Sequence, residues 1–255
     1  MSRDWLLGGR WYVPQSDLGE AGDSACSWHL VQAQEGGGSL LLQRWAVCPP
    51  SHELDKLRET YLQRFLEAEP LDPAFGRFGF GEDKAWFLQE LPGLALSEVW
   101  PDWSPACRKA FLEHLKGLLL RNPHPRFLSP FAIRLHPGRI LVPRALGEAP
   151  FAWKDFEAAL DLLKGSANQE GPRLWEQAPE ISDDLARPIR GRSQELTYLK
   201  SLVFGLNAPA PMERVLVLTG EEGLGQDPLA DWAAAAVETE GLWVAAYEVE
   251  HQEVA

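Results

Sequence analysis

Positive charge is in short supply: 24 lysines and arginines stand against 37 aspartates and glutamates, a net charge of −13 over 255 residues. A broad footprint on a phosphate backbone is therefore not expected, and the composition predicts no nucleic-acid partner. Cysteine is scarce too. Cys26, Cys48 and Cys107 are too few and too far apart for a disulfide framework or a metal-ligand spacing. The six histidines include no HExxH and no pair at helical spacing, and no serine lies in a GxSxG elbow. Long apolar runs are missing: 215–218 and 118–120 fall far below the ~20 residues that cross a bilayer, so no membrane insertion is expected. The opening, Met1-Ser2-Arg3-Asp4-Trp5, has no apolar stretch of the kind a signal peptide needs, which predicts a cytoplasmic protein.

What remains is an ordinary globular composition, 45% hydrophobic and 24% charged, long enough for about two domains. Apolar runs at 27–34 and 39–45 flank Glu35-Gly36-Gly37-Gly38 and predict a hairpin. Leu54, Leu57, Tyr61, Leu62, Phe65 and Leu66 recur at helical spacing after Pro49-Pro50, predicting a helix that ends before Pro70. Strands are expected at 75–80 and 85–91. A long helix should follow the Ser104-Pro105 start signal, then a short hairpin turning at His136-Pro137-Gly138, then a helix over 150–164. Past a polar, glycine-bearing stretch, the pattern becomes a helix at 193–206, an apolar strand at 214–219, a helix at 228–239 and a strand at 242–249. Strand, glycine turn and helix in that order predict a parallel α/β unit.

The glycine turn is Gly220-Glu221-Glu222-Gly223-Leu224-Gly225-Gln226-Asp227. It stands where a phosphate loop would, but Gln226 replaces the lysine and Asp227 the magnesium-holding hydroxyl of GxxxxGK[ST]. Carboxylates there would repel phosphates, so Gly220, Gly223, Gly225, Gln226 and Asp227 are read as a degenerate phosphate loop. With Gly191-Arg192-Ser193-Gln194-Glu195-Leu196 upstream, residues 188–249 resemble the AAA-like ATPase modules of bacterial STAND regulators.

Over the first half, the order of strands and helices resembles a protein kinase. Gln43 stands in the third strand in place of the lysine, or Arg44 after a one-residue slip, and Glu59 holds the position of the pairing glutamate. The run 87–93 resembles the fifth strand and hinge. Pro125 to Ile133 lies over HRDxKPxNI with Phe127 in place of the catalytic base, Ser129 in place of the lysine and Ala132 in place of the asparagine; Pro143 replaces the metal-binding aspartate of DFG. Taken with the second half, the chain resembles the bacterial kinase-ATPase regulators, a serine/threonine kinase domain followed by a STAND-type ATPase, in a catalytically inactive form.

The resemblance implies an α+β kinase-like domain with an abbreviated C-lobe over 1–165, a linker over 166–187, and the start of a degenerate P-loop α/β domain over 188–255. It implies no cofactor and no catalysis, and a regulatory or scaffolding role through a protein partner or a homo-oligomer. Two alternatives stay open: a weak nucleotide-binding or kinase-type signalling enzyme, and a structural subunit of a larger assembly. Among the eleven tryptophans, Trp100 and Trp103 flank a Pro-Asp turn and are candidates for a partner anchor.

Overall fold

The computed structural model describes residues 4–20, 26–67, 72–73, 76–81, 84–122, 124–147, 152–163, 174–177, 189–204, 218 and 226–239. Strands β1 (Trp5–Leu7) and β2 (Arg10–Glu20) open the chain. They are joined by Gly8 and Gly9, whose φ of 54° and 79° lie in the left-handed region that a tight two-residue hairpin turn requires. Strands β3 (Cys26–Ala33) and β4 (Leu40–Trp45) follow, then α1 (Ser51–Gln63), then β5 (Arg77–Gly81) and β6 (Lys84–Glu90). These six strands make one sheet in the order β1-β2-β3-β4-β6-β5, every pair antiparallel.

A second, three-stranded antiparallel sheet is built from β7 (Leu94–Ala95), β8 (Arg134–His136) and β9 (Arg139–Leu141). Gly93 joins the two sheets. Its φ of 89° is one that side chains rarely adopt, and a Cβ there would lie 2.5 Å from the Leu135 carbonyl oxygen, so only glycine fits this crossing. Between β7 and β8 run the single-turn α2 (Leu96–Val99) and the long α3 (Pro105–Arg121). The hydroxyl of Ser104 accepts from the Cys107 amide at 3.2 Å and Pro105 occupies the first turn, so α3 starts where its cap and proline dictate. Helix α4 (Trp153–Leu162) packs with α3 over the small sheet, and α5 (Ser193–Phe204) and α6 (Gln226–Thr239) complete the described chain.

Two cores result. One lies on the face of the large sheet that carries Trp28, Leu41 and Phe87, and it takes in Tyr61 and Phe65 as well as Leu199 of α5 and Trp232 of α6. The other gathers Trp100, Trp103, Phe111, Ile140, Phe156 and Trp175 around the small sheet. Helix α6 is anchored to the sheet by an ion pair from Arg77 of β5 to Glu238, 3.0 Å long, and the Ile189 amide donates to the Phe65 carbonyl at 2.8 Å.

The fold class expected from the sequence, a kinase-like α+β domain followed by the opening of a P-loop α/β domain, is not the one that forms. The large sheet is wholly antiparallel and curls towards a nearly closed, barrel-like form, with a few helices against it. Among the described residues no two strands pair in parallel. The reason is physical: an ordered series of apolar strands fits any antiparallel meander, so matches in order and spacing did not fix the architecture. The strands expected at 214–219 and 242–249 lie outside the described residues apart from Leu218, which packs against the large core. No described helix is long and apolar enough to cross a membrane.

Candidate functional site

Of the residues singled out in the sequence, Gln43, Phe127, Ala132 and Pro143 meet in the interior between the large sheet and the segment that follows β9. Residues 125–127 and 143–145 run antiparallel there: the Phe127 amide donates to the Pro143 carbonyl at 2.9 Å and the Ala145 amide to the Pro125 carbonyl at 3.0 Å. Phe127 is fully buried and stacks on Trp28 of β3, ring centroids 4.2 Å apart and planes 14° off parallel. Such a pair adds about 0.5–1.5 kcal/mol to the burial of the two rings. Ala132 is buried in the same core. Ser129 closes a turn, its hydroxyl accepting from the Phe131 amide at 3.3 Å and its carbonyl from the Ala132 and Ile133 amides.

Gln43, on β4, is buried among these groups. Its Nε2 donates to the Leu146 carbonyl at 2.8 Å and its Oε1 accepts from the Leu146 amide at 2.9 Å, which is the pairing a neighbouring strand would offer. Nε2 also lies 3.4 Å from Cys26 Sγ, and burial pushes that thiol up to about 11, well away from a reactive thiolate at neutral pH. Glu59 sits on the exposed face of α1, and among the described contacts nothing joins it to Gln43. Arg44 points to the other face of the sheet, its guanidinium carbon 5.3 Å from the Trp5 ring centroid.

On the next strand, Gln89 of β6 repeats the device. Its Nε2 donates to the Arg144 carbonyl at 2.8 Å and its Oε1 accepts from the Arg144 amide at 3.2 Å. Two glutamines on adjacent strands thus hold alternate residues of one segment to the sheet. Replacing Gln89 with leucine leaves both backbone groups of Arg144 buried and unpaired, and is expected to lower stability by about 1–3 kcal/mol in urea unfolding. A loss below a few tenths would mean that water replaces the amide.

Around that segment lies a buried charge cluster the sequence reading missed. Asp72 accepts from Arg144 Nε at 2.8 Å and from Arg144 Nη2 at 2.7 Å, and from Arg126 Nη1. Arg126 also donates to the Val142 carbonyl, Arg144 to the Glu67 carbonyl, and Arg64, at the end of α1, donates to Gln89 Oε1 at 3.3 Å. Burial by itself would raise the Asp72 carboxyl; the charge of Arg126, the hydrogen bond from Arg144 and the charges of Arg64 and Arg144 outweigh it and hold the group below the usual carboxylate range. Arg64 feels the reverse balance: burial brings it down to about 10 against the pull of Asp72, with Arg144 and Arg126 adding to the fall. The Arg64 guanidinium also lies over the Phe87 ring, 4.9 Å from its centroid. No local motif marks Asp72, because its partners are 54 and 72 residues away in the chain.

The remaining expected sites fall partly outside the described residues, partly at the start of α6 and partly in the interior. Gly220, Gly223 and Gly225 lie outside the described residues. Gln226 opens α6, and Asp227 is exposed in its first turn, where a carboxylate suits the helix dipole. Trp100 and Trp103, expected as a partner anchor, are only 2% and 1% exposed. Trp100 Nε1 donates to the Leu160 carbonyl at 3.1 Å and Trp103 packs on Trp175 at 4.9 Å, so both rings anchor the protein's own second core, and neither is at the surface for a partner. They close a turn against α4, which is why a Pro-Asp turn flanked by tryptophans did not stay exposed. No family model matches the chain, and no curated protein matches it.

Proposed function

We propose that this protein works without turning over nucleotide, as a regulatory or scaffolding protein that acts through contact with another protein or a second copy of itself. One observation carries the reading: Phe127, which stands where the resemblance to protein kinases would put a catalytic base, is fully buried and stacked on Trp28. Phosphates need cations or free donors, and the nearby amide of Gln43 is already engaged by both backbone groups of Leu146. The net charge of −13 favours a protein partner over nucleic acid. Cytoplasmic action belongs to the same proposal, in keeping with free thiols at Cys26, Cys48 and Cys107. The resemblance to bacterial kinase-ATPase regulators supplies a signalling setting for it.

Magnesium-ATP is therefore expected to leave the melting temperature unchanged. A ligand at 100 times its dissociation constant stabilises by ~2.7 kcal/mol, which at this chain length raises the midpoint by roughly 5–10 °C. A rise of that size in a thermal-shift titration would overturn the proposal.

A further inference from the structure

Pairing of β2 with β3 assembles a constellation that nothing in the sequence advertises. Ser27 and His29 are two residues apart on β3 and so project from one face of the sheet. This is the face of Val31, Leu42 and Trp86, opposite the Trp28 core. Asp17 stands across from His29 on β2, between two register shifts, one at Pro14/Ser16 and one at Asp17/Gly19. Bulges of this kind re-aim side chains.

The outcome is an ordered series of polar contacts. Ser27 Oγ lies 2.8 Å from His29 Nε2, and His29 Nδ1 lies 3.6 Å from Asp17 Oδ1. The Gly19 amide donates to the same Asp17 oxygen at 3.0 Å, fixing the carboxylate. Trp5 packs edge-on against the imidazole with centroids 4.8 Å apart. Arg44 is the cross-strand partner of Ser27, and its carbonyl, 3.5 Å from Ser27 Oγ, is a poorer acceptor for the hydroxyl than the imidazole. The Asp17 side chain is 71% exposed and that of His29 12%, so the group opens to solvent.

We propose that Ser27 is a nucleophile for acyl transfer to and from small carboxylic esters, with His29 as its general base and Asp17 as a positioning residue. The proposal goes beyond the scaffolding role and uses the opposite face of the sheet. Its strongest support is which partner each ring nitrogen faces, Ser27 Oγ at Nε2 and Asp17 Oδ1 at Nδ1. A base that takes the serine proton at Nε2 must keep its other proton at Nδ1 facing an acceptor, and Asp17 Oδ1 stands on that side, 3.6 Å away. At 3.6 Å the two groups are not hydrogen-bonded, and the proposal requires the carboxylate to close on the imidazole once the ring gains charge.

In the first step Ser27 Oγ bonds to the acyl carbon and its proton passes to His29 Nε2. The ester C–O bond then breaks and the alkoxide leaves with that proton. Water repeats the sequence on the acyl-serine, so the net change is ester plus water to acid plus alcohol.

The test is a fluorophosphonate probe on the full chain, in which the Oγ–P bond forms, fluoride leaves and His29 takes the proton. Peptide mass spectrometry should place the label on Ser27, and Ser27→Ala should abolish it. His29→Gln and Asp17→Asn should slow labelling about tenfold or more. The exposed Asp17 carboxylate makes the second variant safe for folding. Hydrolysis of p-nitrophenyl acetate should fall to the Ser27→Ala level in the same order. Label on another residue, no label at all, or labelling of both His29→Gln and Asp17→Asn at the unsubstituted rate would overturn the proposal.

Discussion

Asp72→Ala is expected to lower stability by about 3–5 kcal/mol, a large share of the 5–15 kcal/mol that ordinary domains possess. The cause is what the substitution leaves behind. Arg126 and Arg144 lose a common acceptor while remaining buried, and Arg64 loses the charge that offsets its own desolvation. Removing charge on both sides should do far less harm. A variant with Asp72, Arg126 and Arg144 all replaced by leucine or methionine is expected to recover a good part of the loss, because buried ion pairs exchanged for apolar groups are often close to neutral. Urea unfolding of the single and triple variants decides it, and a triple variant weaker than the single one would show that the hydrogen bonds to the Val142 and Glu67 carbonyls dominate.

The same carboxylate sets a pH dependence. Because its folded-state pKa is depressed, its contribution is complete above the unfolded value of about 3.9 and is lost as pH falls below that value through the folded one. Stability measured at pH 5 and pH 3 should therefore drop more steeply in the natural chain than in Asp72→Asn, which has already forgone the term.

The second large effect belongs to the aromatic stack. Phe127→Ala empties a fully buried site against Trp28, and about 3–5 kcal/mol of stability is expected to go with it. Trp28→Ala should cost a similar amount, and the double variant should fall short of the sum by about 0.5–1.5 kcal/mol, the share that belongs to the rings acting together. Strict additivity in chemical denaturation would show that the two rings contribute by area alone. Phe127→Asp, the carboxylate a catalytic base would need, places an uncompensated charge in this core and should unfold the protein instead of activating it.

Local signals carried much of the element order into the structure, and non-local ones did not. The helix expected after Pro49-Pro50 is α1, because Leu54, Tyr61 and Leu62 repeat at helical spacing and are buried. The start of α3 was written in Ser104-Pro105. Strands β3 and β4 agree with their apolar runs within a residue or so. The length of β2 was not legible: Pro14, Ser16, Asp17 and Gly19 are poor strand formers, yet the bulges absorb them and the strand runs eleven residues. Sheet architecture was misread because strand order along the chain says nothing about whether later strands add in parallel. Of the site residues, Gln43, Phe127 and Pro143 were picked for what they replace, and they do meet in the interior, held by packing and backbone pairing. Asp72, Gln89, Arg126 and Arg144 work through partners dozens of residues away, a relation that spacing does not encode.

The irregularity of β2 reaches beyond the placement of Asp17. Among the described residues β1 pairs only with Arg10, Trp11 and Tyr12 of β2, and no described strand pairs with the outer side of β2 from Val13 onward. An incoming strand would look there for evenly spaced amide donors. Pro14 has none to offer, and two register shifts put those that follow out of step. Along this stretch of its margin the sheet is a poor template for another strand, which works against edge-to-edge pairing between copies of the chain.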